Sequence, residues 1–329
     1  MAPLARLALA CRAMSLKDHI KGQVLAMDAA ARPWAAKSRL HAGTYEFLLF
    51  GLKQAWASLF AGAMLALLLG SHLLWPAYAP VARYDALVVS ALVLQALFLA
   101  TKLERWDEAL VILIFHVVGT IMEVFKTAHG SWIYPEPSVL RIGGVPLFSG
   151  FMYASIGSYI ARIWRLFDIR FIAYPPRWAP WLLATTAYAN FFTHHYGPDI
   201  RSGLFGLSGL IFWRTWFTFT PDHAQRRMPM VLGALLVALF IWFAENLGTF
   251  ASAWIYPTQR HGWTLVSFGK LGSWYLLIML SFVLVSLVHR PRAPGEGETT
   301  NPLETGVRVE AQGMGSALAG RGVGPMPDG

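Results

Sequence analysis

The chain has 329 residues, is 56% hydrophobic and only 14% charged, and carries a formal net charge of +9. A soluble domain is normally about 25% charged, and the mean hydropathy of +0.46 also points away from that class. Apolar runs long enough for a bilayer span, roughly 17–25 residues, recur along the chain and leave no room for a second large soluble domain. The basic excess lies in the loops between those runs. There it sets topology and meets anionic lipid, so nucleic acid is not an implied partner. The single cysteine, Cys11, rules out an intrachain disulfide and a Cys-based metal site.

Residues 1–44 form a polar, basic cytoplasmic segment with Arg6, Arg12, Lys17, Lys21, Arg32, Lys37 and Arg39. Part of it suits an amphipathic helix lying on the membrane face. The apolar run at Leu7–Cys11 is too short, and too soon interrupted by Arg12, for a signal peptide or lipid-attachment box. Spans are expected at about 54–75, 84–101, 108–126, 145–164, 178–194, 201–219, 228–249 and 264–288. The fifth and sixth are short, and Arg214 lies inside the sixth, so this pair is tilted, re-entrant or spanning. Residues 291–329, rich in Pro, Gly, Glu and Thr, are expected to be a disordered cytoplasmic tail. The expected fold class is therefore all-α: a polytopic membrane helical bundle of about eight transmembrane helices, its membrane domain covering 45–290.

Orientation follows from the basic residues. With both termini inside, the inner segments hold 19 Lys and Arg against 6 outside. This implies a multi-pass protein of the bacterial cytoplasmic (inner) membrane with cytoplasmic termini.

An internal repeat is visible. Glu123, Thr127, Trp132, Ile133, Tyr134 and Pro135 recur as Glu245, Thr249, Trp254, Ile255, Tyr256 and Pro257, each 122 residues on. The same offset pairs Gly150 with Gly272 and Tyr153 with Tyr275. Four spans per unit restore the chain direction, so the units 45–166 and 167–288 are expected to be parallel repeats about an axis along the membrane normal.

Glu123 and Glu245 are the acidic residues that fall within apolar spans, about 14 to 17 residues from the inner end of each helix. At 1.5 Å per residue that is roughly 20–25 Å into a core about 30 Å thick, so both lie in the outer third. An ionised carboxylate there must pair or take up a proton. It either donates protons in catalysis or makes an interhelical hydrogen bond or an ion pair with Lys126 or Lys270. His116, Thr120 and Glu123 share one helix face at i, i+4 and i+7, which suits a proton relay or a packing histidine. Asn190 and His194, also i, i+4, precede His195 and Tyr196; the group either pins the bundle or joins the site, with His194 catalytic and Asn190 and His195 binding substrate, and Asn246 beside Glu245 is expected to orient that carboxylate. Lys270 either snorkels outward or joins the site. Trp132, Tyr134, Trp254 and Tyr256 sit where an aromatic belt lies, but the repeated E-x3-T-x4-W-I-Y-P spacing suggests matched loops folding over matched carboxylates. Nucleotide-binding and hydrolase motifs are absent, as are di-iron histidine boxes. No metal and no cofactor are implied.

Several long strings carry a family resemblance: F-H-V-V-G-T-I-M-E at 115–123, G-S-W-I-Y-P-E at 130–136, R-I-G-G-V-P-L-F-S-G-F-M-Y at 141–153, N-F-F-T-H-H-Y at 190–196 and A-E-N-L-G-T-F at 244–250. Through them, 45–290 resembles an uncharacterised bacterial family of multi-pass membrane proteins, domain of unknown function 817. An acidic residue near a helix end, a G-x-W-x-Y turn and a G-G-V-P opening are also similar to the small membrane lycopene cyclases and carotenoid hydratases. In those enzymes carboxylic acids protonate a polyene double bond. Here Leu147, Phe148 and Ser149 follow Pro146, where the cyclases have paired glutamates. That likeness implies a cyclase-, hydratase- or isomerase-like enzyme acting on a lipophilic isoprenoid or carotenoid-like substrate by cofactor-free acid–base chemistry. In it Glu123 donates a proton with His116 tuning it, Glu245 and Asn246 supply the second group, and the loop aromatics stabilise a developing cation. The residues alone also suit a proton-coupled transporter of a small molecule, or a membrane scaffold whose glutamates only hold the bundle together.

Overall fold

Each of the eight apolar runs contains a helix, but the helices are unequal, and that inequality positions the site. The computed structural model describes residues 16–76 and 78–295. Among them are ten α-helices and two small antiparallel sheets. The expected disorder of the tail beyond residue 295, and the readings at Leu7–Cys11, lie outside the described residues.

Helix α1 (Leu16–Ala35) covers much of the basic segment. Helix α2 (Arg39–Ala57) opens on Ser38, whose hydroxyl accepts the His41 amide at 3.3 Å, a side-chain N-cap. The chain breaks at Ser58 and resumes as α3 (Leu59–Leu74) at an angle of 66°. Helices α4 (Arg83–Ala100), α5 (Trp106–Ala128) and α9 (Met230–Phe250) are each long and apolar enough to cross a bilayer. Counting the bent α2–α3 pair as one span makes four.

The remaining helices are α6 (Phe148–Leu166), α7 (Trp178–Thr193), α8 (Arg201–Phe212) and α10 (Gly269–Val285). Helix α10 is apolar all round and is buried almost continuously from Tyr275 to Val285. A helix of that composition belongs in a core, and it packs there with Ile112 and Phe115 of α5, Ala154 of α6 and Leu183 of α7. Helices α5 and α6 lie very close. A Cβ at Gly119 would stand 2.7 Å from the Tyr153 side chain, so glycine at 119 is what lets that tyrosine reach across.

The sixth apolar run departs from expectation. Its helix stops at Phe212 rather than near 219, and the chain continues as strand β4 (Trp216–Phe219). Strand β4 lies between β3 (Arg170–Ile172) and β5 (Arg226–Pro229), all antiparallel, with Phe217 opposite both Phe171 and Met228. Aromatic and β-branched residues over 215–219 favour a pleated strand, and strand partners exist on both sides. At the other end of α6, β1 (Arg141–Ile142) and β2 (Val145–Pro146) form a two-residue hairpin. Its turn, Gly143–Gly144, has φ of 57° and 83°, the left-handed pair that such a turn requires.

Candidate functional site

The site grows from the C-terminal ends of α5 and α9. Glu123 is 4% exposed and Glu245 3% exposed. After α5 the chain reverses and brings the next loop back over the same helix end. There the Trp132 indole donates to Glu123 Oε2 at 2.7 Å and the Tyr134 hydroxyl to the same oxygen at 2.6 Å. From α6, the Tyr153 hydroxyl donates to Oε1 at 2.6 Å. The loop after α9 does the same for Glu245: Tyr256 donates its hydroxyl to Oε1, and the Trp274 indole of α10 donates to Oε2 at 2.6 Å. The E-x3-T-x4-W-I-Y-P spacing is thus the length of chain needed to leave a helix, turn and set the loop tyrosine on the carboxylate behind, and in the first loop the tryptophan as well.

The two loops are also joined to each other. Ile133 and Ile255 exchange both backbone hydrogen bonds, at 3.0 and 2.9 Å, in an antiparallel bridge. The Trp132 and Tyr256 rings meet edge to face at 6.0 Å. Arg83, 4% exposed at the start of α4, ties the pair down. It bonds Glu136 in the first loop at 2.9 Å and the Ala251 carbonyl beside the second at 3.1 Å. The two shells are not identical. Tyr275, the counterpart of Tyr153, bonds Ser208 at 2.9 Å instead of Glu245.

Lys270 stands between the shells, its ammonium 4.3 Å from the Tyr256 ring centre and 5.3 Å from that of Trp132. Both are cation–π distances. Lys126, one turn beyond Glu123, reaches the other way, with Nζ 3.1 Å from Nε2 of both His194 and His195. His194 Nδ1 lies 2.7 Å from the Asn190 carbonyl. Its proton belongs there, which leaves Nε2 free to accept from Lys126. Burial, and then the Lys126 charge, hold the His195 imidazole below its ordinary pKa. Asn190 braces the following loop, donating to Asp199 at 3.2 Å and accepting from the Ile200 amide at 3.3 Å. Hydrogen bonding from Arg201 keeps the Asp199 carboxyl well below its usual range.

Two expected partners lie elsewhere. His116 and Thr120 face α6 beside Gly150, but neither bonds Glu123. His116 packs on Phe151 at 4.6 Å, and its Nδ1 and the Thr120 hydroxyl are buried without partners. Asn246 does not touch Glu245. It donates to the Trp242 carbonyl and accepts the Val266 amide, both at 2.8 Å, so it holds the loop before α10. Trp254 packs over Gly248 and hangs no donor on Glu245. Among the described residues, neither Lys126 nor Lys270 forms an ion pair with a carboxylate.

Glu123, Glu245, Lys126 and Lys270 border a cavity of about 1450 Å³. It runs on past Ile160 and Trp164 to Phe167, Phe171, Phe217 and Phe219, beside the three-stranded sheet. Phe47 and Phe240 also line it and are 71% and 72% exposed, so the cavity is continuous with an exposed apolar surface.

The profile of the family described as "Protein of unknown function (DUF817)" matches residues 46–282, which take in both carboxylates, both loops and the cavity wall. The chain belongs to that family. It is similar to "Uncharacterized protein YoaT" of Bacillus subtilis (strain 168), with 43% identity over 237 residues, covering 72% of this chain and 89% of the relative. No solved structure matches.

Three parts of the site escaped the sequence reading. Tyr153 carried a signal, since it falls on the 122-residue offset, but nothing there identified it as a donor to Glu123. Trp274 carried none, because its offset counterpart is Met152. Arg83 read only as one more outer charge.

Proposed function

We propose that this DUF817 protein is a polytopic enzyme of the bacterial cytoplasmic membrane that performs cofactor-free acid–base chemistry on a lipophilic, isoprenoid-like substrate. On this reading the chain crosses the bilayer eight times, as two parallel units of four helices, with both termini on the cytoplasmic side. The apolar helices and the matching loops support that architecture.

One observation carries the chemistry. Two buried carboxylates share one apolar cavity, and each is held by neutral indole and phenol donors rather than by a cation. Such donors orient a carboxyl group without cancelling its charge, so the group stays available to exchange a proton. In the proposed reaction one carboxylic acid adds its proton to an alkene carbon, leaving a carbocation and a carboxylate. The second carboxylate then removes a proton from a carbon next to the cation. The sum is a double-bond shift or a ring closure with no external reactant. Trp132 and Tyr256 would face the cation, and their rings already face one, the Lys270 ammonium. His194, His195, Asn190 and Asn246 hold the surrounding loops.

Glu123→Gln and Glu245→Gln are each expected to abolish conversion while the protein still inserts and purifies as a single species. The measurement is a mass comparison of lipid extracts from cells with the intact gene, without it, and with each variant. Normal conversion by both variants sinks the proposal. A second reading, proton-coupled transport, draws on the 66° break at Ser58, since interrupted helices border many transport sites. Uptake of an unaltered compound into proteoliposomes would favour it over catalysis.

A further inference from the structure

The polar end of the cavity holds two ammoniums that, among the described residues, meet no carboxylate in a direct ion pair. Lys126 is 5% exposed and meets two imidazoles, and Lys270 meets two ring faces. The two ammoniums repel each other and also Arg201. Arg201 itself is occupied by Asp199 at 2.5 Å and the Ser273 hydroxyl at 3.0 Å. Glu245 and Glu123 attract the Lys270 ammonium, and Asp199 attracts Lys126, only from beyond contact distance; Glu123 takes three and Glu245 two aromatic hydrogen bonds, and among the described residues neither lysine has a carboxylate in a direct ion pair. Lys126 is buried and Lys270 half-buried, and a cation withdrawn from water favours a nearby anion.

Two helices also begin at this wall. Helix α8 starts at Arg201 and α10 at Gly269, and Ser202, Ser267 and Ser273 border the same space. The Arg201 amide is taken by Asp199 and the first amides of α10 by Ser267 and Phe268, so what the two helix starts add for an anion is the positive end of each dipole. The rest of the lining is aromatic and aliphatic. At about 1450 Å³ the cavity is larger than the roughly 300–1,000 Å³ of an ordinary small-molecule site, which suits a long chain.

We infer that the cavity binds an amphipathic lipid whose phosphate monoester head sits between Lys126 and Lys270 and whose prenyl-type chain runs along the apolar lining toward Phe167 and Phe217. A phosphate monoester carries about −1.5 to −2 charge at neutral pH, which matches the two ammoniums. The carbons next to the head would then lie against Glu123 and Glu245. This rests on reading the cavity as a lipid-substrate site and names the class of that substrate.

The test is direct binding to the full chain in phosphatidylcholine nanodiscs, followed by tryptophan fluorescence. The probes are farnesyl phosphate, farnesol and inorganic phosphate. Farnesyl phosphate is expected to saturate and to bind about tenfold or more tighter than farnesol. Lys126→Met and Lys270→Met should each erase most of that preference while leaving farnesol affinity unchanged, which also shows that they fold. Lys126→Arg and Lys270→Arg should retain it. Equal binding of farnesol and farnesyl phosphate, or no loss in either Met variant, overturns the inference. Inorganic phosphate binding as tightly as the prenyl ester would also overturn it, because the site would then be one for free phosphate. Glu123→Gln is expected to keep binding farnesyl phosphate. Binding without any lipid conversion would defeat the acid–base reading alone, and conversion without phosphate preference would defeat this inference alone.

Discussion

Helix α5 has buried carboxylates near both of its ends, and the two ends treat them in opposite ways. Near the start of α5, Glu104 and Glu108 are answered by arginines. Arg162 lies 3.5 Å from Glu104 with both side chains fully buried, and Arg165 lies 2.7 Å from Glu108. Ser158 and Gln95 also donate to Glu104, at 3.1 and 2.5 Å. Burial pushes the Glu104 carboxyl up, and the Arg162 charge opposes that. At the far end Glu123, like its counterpart Glu245 on α9, takes hydrogen bonds only from neutral donors and borders a cavity. Glu104 and Glu108 are each paired with an arginine and do not border the large cavity, whereas Glu123 and Glu245 are oriented but not neutralised and have open space beside them, the arrangement that the proposed acid–base chemistry needs.

The comparison breaks most readily at Arg162. Arg162→Met leaves the buried Glu104 carboxylate with neutral donors but no cation, and should cost about 3–5 kcal/mol of stability, read as a large fall in Tm of the purified protein. Adding Glu104→Gln should return much of it. Glu123→Gln keeps an acceptor for most of its donors and should cost far less. A loss as large as that of Arg162→Met would mean the two ends are alike after all.

Tyr153→Phe removes a hydrogen bond to a carboxylate and should cost about 1.5–3 kcal/mol, against about 1 kcal/mol for Tyr275→Phe, which loses only Ser208. Thermal melts of the two variants measure how far the shells differ. Arg83→Met should leave global stability less affected but quicken amide exchange at Ile133 and Ile255 together. Faster exchange at only one of them would show that the loops are not coupled.

The smallest effect concerns Asp199, which is partly exposed. Its carboxyl pKa lies below the ordinary 3.8 in the folded chain. Its contribution is therefore fully present above that value and is lost as pH falls toward the folded value. Asp199→Asn should flatten the acid limb of a Tm-against-pH curve below about pH 4 and leave neutral pH nearly unchanged.

The helices were legible because long apolar runs have few other uses. The early end of α8 was not, since β4 exists by virtue of partners at 170–172 and 226–229, which no local window contains. Glu123 and Glu245 stood out as charges in apolar surroundings, and their loops stood out through repetition. Spacing put His116 on the face of Glu123 but did not say where either side chain would point, and the two make no hydrogen bond. Arg162 and Glu104 read as charges at span ends. Only the fold of the chain around them, with Phe98 against the guanidinium at 5.3 Å and the Trp56 carbonyl at 3.4 Å, makes them interior.

The exposed phenylalanines at the cavity mouth, Phe47 and Phe240, have a kinetic consequence. On the proposed reading a lipid substrate enters through that mouth, its solvent is the membrane and its working concentration is a mole fraction. Spreading a fixed amount of substrate through more inert phospholipid should slow turnover by dilution in two dimensions, while changing the volume of water around the same vesicles should not.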